Sequence, residues 1–207
     1  MALPERPTDP AQVLETMLAG NHRFATGEPA HPNQDAVHRA RAAQGQSPFA
    51  VVLGCSDSRV AAEIVFDCGL GDLFVVRTAG HLLGAEVLAS IEFAITALHT
   101  PVIVVLGHDR CGAITAALDA HHHGTSPPGH LRVITERILP EIRTALARDI
   151  TDHDAIGALH ITSTCDQLVE QSPLVADRLA ANQLAVIGMT YALAEGRVRA
   201  VVSEPSC

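Results

Sequence analysis

Two cysteines and one histidine stand at spacings in this chain that suit a metal ion. Cys55 lies in segment 54–60, which reads G-C-S-D-S-R-V, and His108 and Cys111 lie in segment 107–112, which reads G-H-D-R-C-G. Thiolate and imidazole are the ligands that zinc prefers, and a site with only three protein ligands keeps its fourth position open for chemistry. We therefore expect Cys55, His108 and Cys111 to bind one zinc ion.

A carboxylate and a guanidinium follow the first of these cysteines at short spacing. Asp57 can only accept hydrogen bonds when it is ionised, whereas Arg59 is permanently charged and only donates. Both belong to the same segment as Cys55, which also contains the small residues Gly54, Ser56 and Ser58. An ordinary surface ion pair contributes little stability. Because this pair stands in a crowded segment, we interpret Asp57 and Arg59 as groups that tune what the metal does.

The elements around both segments would bring them together. Each segment follows a run of apolar, mostly β-branched residues, at 49–53 and 102–106, and precedes a helical pattern. Such runs are typical of strands that are buried on both faces of a parallel sheet. Ligands bind at the carboxyl edge of such sheets, so we expect the metal centre there.

The remaining periodicity predicts an α/β fold with a mainly parallel central sheet and flanking helices. Expected strands cover residues 49–54, 73–77, 102–107, 183–188 and 198–202. Expected helices cover residues 10–27, 36–44, 60–67, 85–99, 111–122, 130–150 with an interruption at Pro140, 152–171 and 173–181. We interpret residues 1–207 as one domain with a helical arm at 1–45, whose apolar stripe we expect to pack on another subunit.

Composition narrows the function further. The net charge of -9 argues against nucleic acid as a partner, because nucleic-acid binding usually needs a basic face. No apolar run approaches the length of a membrane span, so we expect no membrane partner. Five cysteines in a chain whose first residues lack a signal pattern favour free thiols or metal ligands over disulfides. We therefore expect a cytoplasmic protein.

The motifs together resemble those of the β-class carbonic anhydrases. The resemblance rests on C-S-D-S-R-V at 55–60 and G-H-x-x-C-G-A at 107–113, and continues through segments 71–80, 90–94 and 188–191. It implies the β-carbonic anhydrase fold and the zinc-dependent, reversible hydration of carbon dioxide to bicarbonate. It also implies that Cys55, His108 and Cys111 are the zinc ligands and that Asp57 and Arg59 form a catalytic dyad.

The resemblance carries implications beyond the metal ligands. It implies a homo-oligomer, a dimer or a tetramer, with each active site at the subunit interface and the helical arm wrapped on its partner. It places Gln46 near the substrate, and Phe74, Ala79 and Phe93 in the carbon dioxide pocket. The chain departs from the common pattern at Phe93, where many members carry Tyr, and at 77–81, where R-T-A-G-H replaces R-N-A-G-N.

Two thiolates neutralise zinc more than imidazoles do, so we expect a coordinated water to ionise above about pH 7, the value for three histidine ligands.

Hydrolysis of carbonyl sulfide or carbon disulfide by the same five residues is the nearest enzymatic alternative. A non-catalytic zinc or thiol sensor is the alternative from another class. Phosphatase chemistry needs a longer Cys-to-Arg loop, and a zinc deaminase needs an H-x-E with C-x-x-C, which is absent.

Other histidines and cysteines receive ordinary interpretations. We expect the triplet 121–123 to lie in a solvated loop, Cys68 and Cys165 to be buried small residues, and Cys207 to be a free tail. His22, His38 and His81 are expected to be surface or interface side chains, and Glu63, Asp109 and Arg110 to be surface or helix-end charges.

Overall fold

A five-stranded sheet forms the centre of the molecule. The computed structural model describes residues 6–202. Its strands are β1 (Ala50–Cys55), β2 (Leu73–Thr78), β3 (Val102–His108), β4 (Ala185–Ala192) and β5 (Arg197–Val202). They pair in the order β2-β1-β3-β4-β5. The first four are parallel, and β5 runs antiparallel to β4, so the predicted mainly parallel α/β sheet is confirmed.

Helices cover both faces of the sheet. They are α1 (Pro10–Thr26), α2 (Ala36–Ala42), α3 (Ala62–Val65), α4 (Ala85–Ala97), α5 (Gly112–His123), α6 (Leu131–Leu146), α7 (His153–Gln171) and α8 (Pro173–Ala180), with a 3-10 turn at Ala79–His81. None of these helices, which all lie within residues 6–202, is long and apolar enough to cross a membrane.

The core explains why β1 and β3 are apolar along their whole length. Both strands are buried at every residue. Val51 and Val52 enter apolar clusters on opposite faces of the sheet, as the two-residue repeat of a strand requires. A third cluster, at the carboxyl edge, joins Cys55 and Cys111 to α6 residues such as Ile138. The two cysteines therefore pack against buried apolar side chains.

The arm helix α1 begins and ends as its sequence predicts. The Asp9 side chain accepts a hydrogen bond from the Gln12 N–H, and Gly27 ends the helix in the left-handed region, which glycine tolerates. Met17 of its apolar stripe is fully buried, together with Val13, in the core of the same chain, whereas Leu18 is 40% exposed. Packing of the arm on another subunit stays a prediction.

A buried asparagine ties α1 to distant parts of the chain. The Asn21 Nδ2 donates to the carbonyls of Val65 at 3.0 Å and Gly196 at 2.8 Å. Its Oδ1 accepts from the Val198 N–H at 2.8 Å. One side chain thus joins the first helix to α3 and to the last strand.

Several boundaries differ from the expected ones. Helix α3 is shorter than the predicted 60–67, because Ala61 has an extended backbone. Strand β4 lies at Ala185–Ala192 instead of 183–188, because its later residues pair with both β3 and β5.

Two helices of the second half also correct the prediction. Helix α6 passes Pro140 without interruption; Ile138 and Ile142 are fully buried on either side and hold the axis despite the N–H that proline lacks. The triplet 121–123 is not a loop but the last turn of α5, which ends at Gly124 with φ 63°. Its three side chains are exposed, as expected.

Candidate metal centre

Three elements deliver the predicted ligands to one point. Cys55 ends β1, His108 ends β3, and Cys111 directly precedes α5. Their ligand atoms all lie within 4.8 Å of one another. The ligand atoms of a tetrahedral zinc site lie about 3.5–3.8 Å apart. The three side chains would therefore need to approach one another only slightly to bind zinc. Each of the three residues is at most 5% exposed.

The histidine presents the nitrogen that a metal would use. His108 Nδ1 lies 2.8 Å from the Asp109 carbonyl oxygen, which can only accept, so Nδ1 carries the hydrogen. Nε2 is buried and has no hydrogen-bond partner within the described part of the chain. Metal-bound histidines commonly donate their other ring N–H in this way. The residues present therefore fit a zinc ion.

The two thiols shift each other's pKa in opposite directions. The hydrogen bond with Cys111 lowers the pKa of Cys55, although burial opposes this. The same bond, together with burial, raises the pKa of Cys111. Burial lowers the pKa of His108, but the Cys55 thiolate and Asp57 outweigh that effect and raise it. Metal binding would release the remaining thiol proton, as thiolate coordination requires.

The predicted dyad is formed. Asp57 Oδ1 accepts from the backbone N–H and the Nε–H of Arg59, both at 2.9 Å, and Oδ2 accepts from an Nη–H at 2.7 Å. These hydrogen bonds, the side-chain ones first, lower the pKa of Asp57 well below its usual range. Oδ2 also lies 3.8 Å from His108 Nε2. The carboxylate is therefore ionised and faces the metal position.

A second arginine, which the sequence reasoning did not assign, supports this segment. Arg77 Nε donates to the Cys55 carbonyl at 3.0 Å, and one Nη donates to the Asp57 carbonyl at 2.7 Å. Thr78 pairs with Cys55 across the sheet, which places Arg77 beside the same edge. Its position at the end of a predicted strand was the available signal.

The four residues assigned to substrate divide into two groups. Ala79 is exposed and follows Thr78, the partner of Cys55, so it lies beside the metal centre. Phe74 lies four residues before Thr78 on β2, about 13 Å along the strand. Its ring centroid lies 6.2 Å from that of Phe93. Gln46 precedes the start of β1 and is exposed. A single chain therefore does not bring Gln46, Phe74 and Phe93 to its own metal ligands.

Two histidines depart from their expected places, whereas His22, Glu63 and Arg110 are exposed as expected and Asp109 is half-buried. His81 is buried, not at the surface, and its ring lies 4.5 Å from that of buried His160. His38 is also buried and lies 3.0 Å from the Leu70 carbonyl. Asp109 Oδ1 accepts from the Leu193 N–H.

The spare thiols behave as expected. Cys68 and Cys165 are buried and free, and burial raises the pKa of each to about 12. Cys207 lies outside the described residues.

Comparisons with known proteins agree with this centre. The carbonic anhydrase family profile matches residues 50–198. The chain is 47% identical to carbonic anhydrase 2 of Mycobacterium tuberculosis over 190 residues, 92% of each chain. It is 49% identical to a carbonic anhydrase of Mycolicibacterium smegmatis over 191 residues, covering 92% of this chain and 93% of that protein.

A solved structure extends the agreement to the fold. The β-carbonic anhydrase of Coccomyxa, in complex with acetazolamide, superposes with a TM-score of 0.74 at 25% identity, covering 95% of this chain and 88% of that one. The likeness thus includes the sheet edge where Cys55, His108 and Cys111 converge beside the Asp57–Arg59 pair. With this fold, this donor set and these relatives, the chain belongs to the carbonic anhydrase family, in its β class.

Proposed function

We propose that Cys55, His108 and Cys111 hold the zinc ion with which this carbonic anhydrase converts carbon dioxide to bicarbonate, and that Asp57 orients the nucleophile. The observation that carries the proposal is the unpartnered, buried His108 Nε2 beside two thiols. Zinc supplies the hydroxide nucleophile by lowering the pKa of water.

Asp57 performs the orienting step. Its Oδ2 accepts one hydrogen bond from Arg59, and a carboxylate oxygen has room for a second. Because an ionised carboxylate cannot donate, it accepts a hydrogen bond from the nucleophile, which leaves an oxygen lone pair directed toward the carbon of the substrate. Arg59 keeps the carboxylate ionised and fixed by a charge-assisted bidentate pair.

An oligomer would complete the site. Strand β2 lies at the edge of the sheet, and its four apolar residues 73–76 are only partly buried. Such an edge readily pairs with another chain. Phe93, 50% exposed, lies against Phe74 on this side. We propose a homodimer, alone or within a tetramer, in which Gln46, Phe74 and Phe93 serve the metal centre of the partner subunit.

Subunit complementation tests this arrangement. Gln46→Ala and Asp57→Ala are each expected to impair the enzyme when measured alone. After unfolding and refolding as an equal mixture, mixed dimers contain one site with both native residues, so about one site in four should recover. No recovery in mixed dimers would place Gln46 and Asp57 of each site on the same chain.

The function itself is tested on purified protein. We expect one zinc ion per subunit and carbon dioxide hydration in a stopped-flow assay, with little hydrolysis of carbonyl sulfide or carbon disulfide. Faster turnover of the sulfur compounds would favour the alternative hydrolase. Stoichiometric zinc without turnover of any of these gases would favour a sensor.

We also propose that the protein is located in the cytoplasm. The four cysteines within the described residues are free, as is usual in a reducing compartment, and this supports a cytoplasmic location. Detection of the native protein in a cytosolic fraction would test it.

A further inference from the structure

Two neighbouring imidazoles, His81 and His160, lie behind the metal centre and have no part in the reaction described above. His81 and His160 are 3% and 2% exposed, and their ring centroids are 4.5 Å apart. Burying polar rings is unfavourable unless they make hydrogen bonds. One of these rings makes a hydrogen bond that leads directly to a metal ligand.

The connection runs through a glycine. His160 Nε2 lies 2.9 Å from the Gly80 carbonyl oxygen, and since a carbonyl only accepts, Nε2 carries the hydrogen. The Gly80 N–H in turn donates to the Cys55 Sγ at 3.4 Å. His160 therefore reaches the zinc ligand through the backbone of a single residue.

Gly80 has a conformation that needs such support. Its φ is +69°, in the left-handed region, and an added Cβ would lie 2.8 Å from the Ala113 Cβ. Glycine meets both demands but restrains the backbone less than any other residue. The direction of its N–H therefore depends on what holds its carbonyl.

A carboxylate, fixed by its own hydrogen bonds, lies on the other side of His160. Glu141 Oε1 lies 3.9 Å from His160 Nδ1 and accepts from the Ser163 hydroxyl at 2.8 Å and from the Gln167 amide at 3.2 Å. Burial would raise the pKa of Glu141, but the nearby His160 ring and the hydrogen bond from Ser163 outweigh burial and lower it. The ring thus lies between a fixed anion and the Gly80 carbonyl.

We propose that His160 is a positioning residue for the metal centre: by holding the Gly80 carbonyl, it keeps the Gly80 N–H on the Cys55 thiolate. A hydrogen bond to a ligating sulfur withdraws charge from it, so zinc remains a stronger Lewis acid than two bare thiolates would allow. This inference rests on the zinc site proposed above.

Cadmium-113 NMR of the wild-type protein tests the geometry without any variant. In cadmium-loaded protein, the β-hydrogens of Cys55 and Cys111 should couple to the metal, and the Gly80 amide hydrogen should couple to it through the hydrogen bond. Cysteine couplings without the Gly80 coupling would overturn this inference and leave the zinc site intact. Absence of both would overturn the inference and the site together.

A matched pair of variants tests the role of His160. In His160→Gln, the amide nitrogen can take the place of Nε2 and donate to Gly80, whereas His160→Met has similar length but no donor. We expect the Gly80 coupling to persist in H160Q and to disappear in H160M. Zinc affinity should fall about ten- to hundredfold in H160M, the usual effect of losing such support, and much less in H160Q.

Spectroscopy separates this role from a merely structural one. In cobalt-substituted protein, the sulfur-to-cobalt absorption of H160M should move to lower energy than in H160Q, and the pH midpoint of carbon dioxide hydration should rise. If H160M does not fold, His160→Asn replaces it, because its amide is too short to reach Gly80. Equal spectra and equal midpoints in the paired variants would overturn the proposal.

Discussion

Replacing Asp57 should abolish most turnover and leave the zinc site intact. Asp57→Ala removes the group that accepts a hydrogen bond from the nucleophile. It leaves the three metal ligands unchanged. A hydrogen bond to a charged group contributes about 1.5–3 kcal/mol. At about 1.4 kcal/mol for each factor of ten, this predicts a fall in kcat of roughly ten- to hundredfold.

Asp57→Asn is the sharper test because the structure predicts which way the amide turns. Oδ1 accepts two N–H groups from Arg59 and Oδ2 accepts one, so the amide oxygen should take the place of Oδ1. The amide nitrogen then stands where Oδ2 was and presents a donor to the nucleophile. D57N should therefore be at least as impaired as D57A.

Stopped-flow hydration across the pH range, with zinc content measured on the same samples, decides the matter. Arg59 holds the pKa of Asp57 below its usual range, so Asp57 is ionised at every working pH. The loss should therefore persist at every pH at which the wild-type protein is active. Zinc-replete D57N within about twofold of the wild-type kcat would refute the orienting role, since a donor cannot replace an acceptor.

Three further predictions concern the metal and the fold. Cys55→Ala or His108→Ala should bind far less than one zinc ion per subunit by elemental analysis, because two ligands remain; stoichiometric zinc would contradict the site. Gly80→Ala should weaken both stability and zinc affinity, measured by thermal unfolding and competitive chelation, because its Cβ would meet Ala113 at 2.8 Å. The buried Asp67 carboxylate accepts hydrogen bonds from Arg23 Nε and from the backbone N–H groups of Ala30 and His31. Asp67→Asn should destabilise the protein by about 2 kcal/mol at neutral pH, because these charge-assisted bonds are lost. Hydrogen bonds lower the pKa of Asp67 against the effect of burial, so its contribution is full above the unfolded pKa of about 4 and disappears as the pH falls through the folded value. Urea unfolding at neutral and acid pH should therefore show a difference between wild type and D67N that narrows in acid.

The metal centre was predictable because chain order and the parallel sheet determine it together. Cys55 and His108 each end a strand whose apolar run is visible in the sequence, and adjacent parallel strands end at the same edge. Asp57 and Arg59 follow from the same segment. Nothing comparable marks His160, which lies within the amphipathic helix α7 and acts on a backbone carbonyl. Every residue has a backbone carbonyl, so the sequence does not show which one His160 contacts. The role of His160 could therefore be inferred only from the structure.

The pocket residues were difficult for a different reason. Phe74 and Gln46 stand near the amino ends of β2 and β1, away from the Cys55 end of the sheet. Hydrophobic periodicity predicts the helices and strands of one chain, but it does not predict which residues a second subunit adds to the site. The apolar stripe of the arm helix is visible in the sequence, but only the structure shows that Met17 is buried in the core of its own chain and that Leu18 is exposed.

The contacts of Asn21 bear on the order in which the chain folds. Two of its partners lie 175 and 177 residues further along, so the first helix cannot reach its final seat until the last strand has left the ribosome. During synthesis, the hydrogen bonds of Asn21 with Gly196 and Val198 can therefore form only after almost the whole chain has emerged. Truncation that removes β5 should consequently loosen the amino-terminal helix, at the opposite end of the polypeptide from the cut.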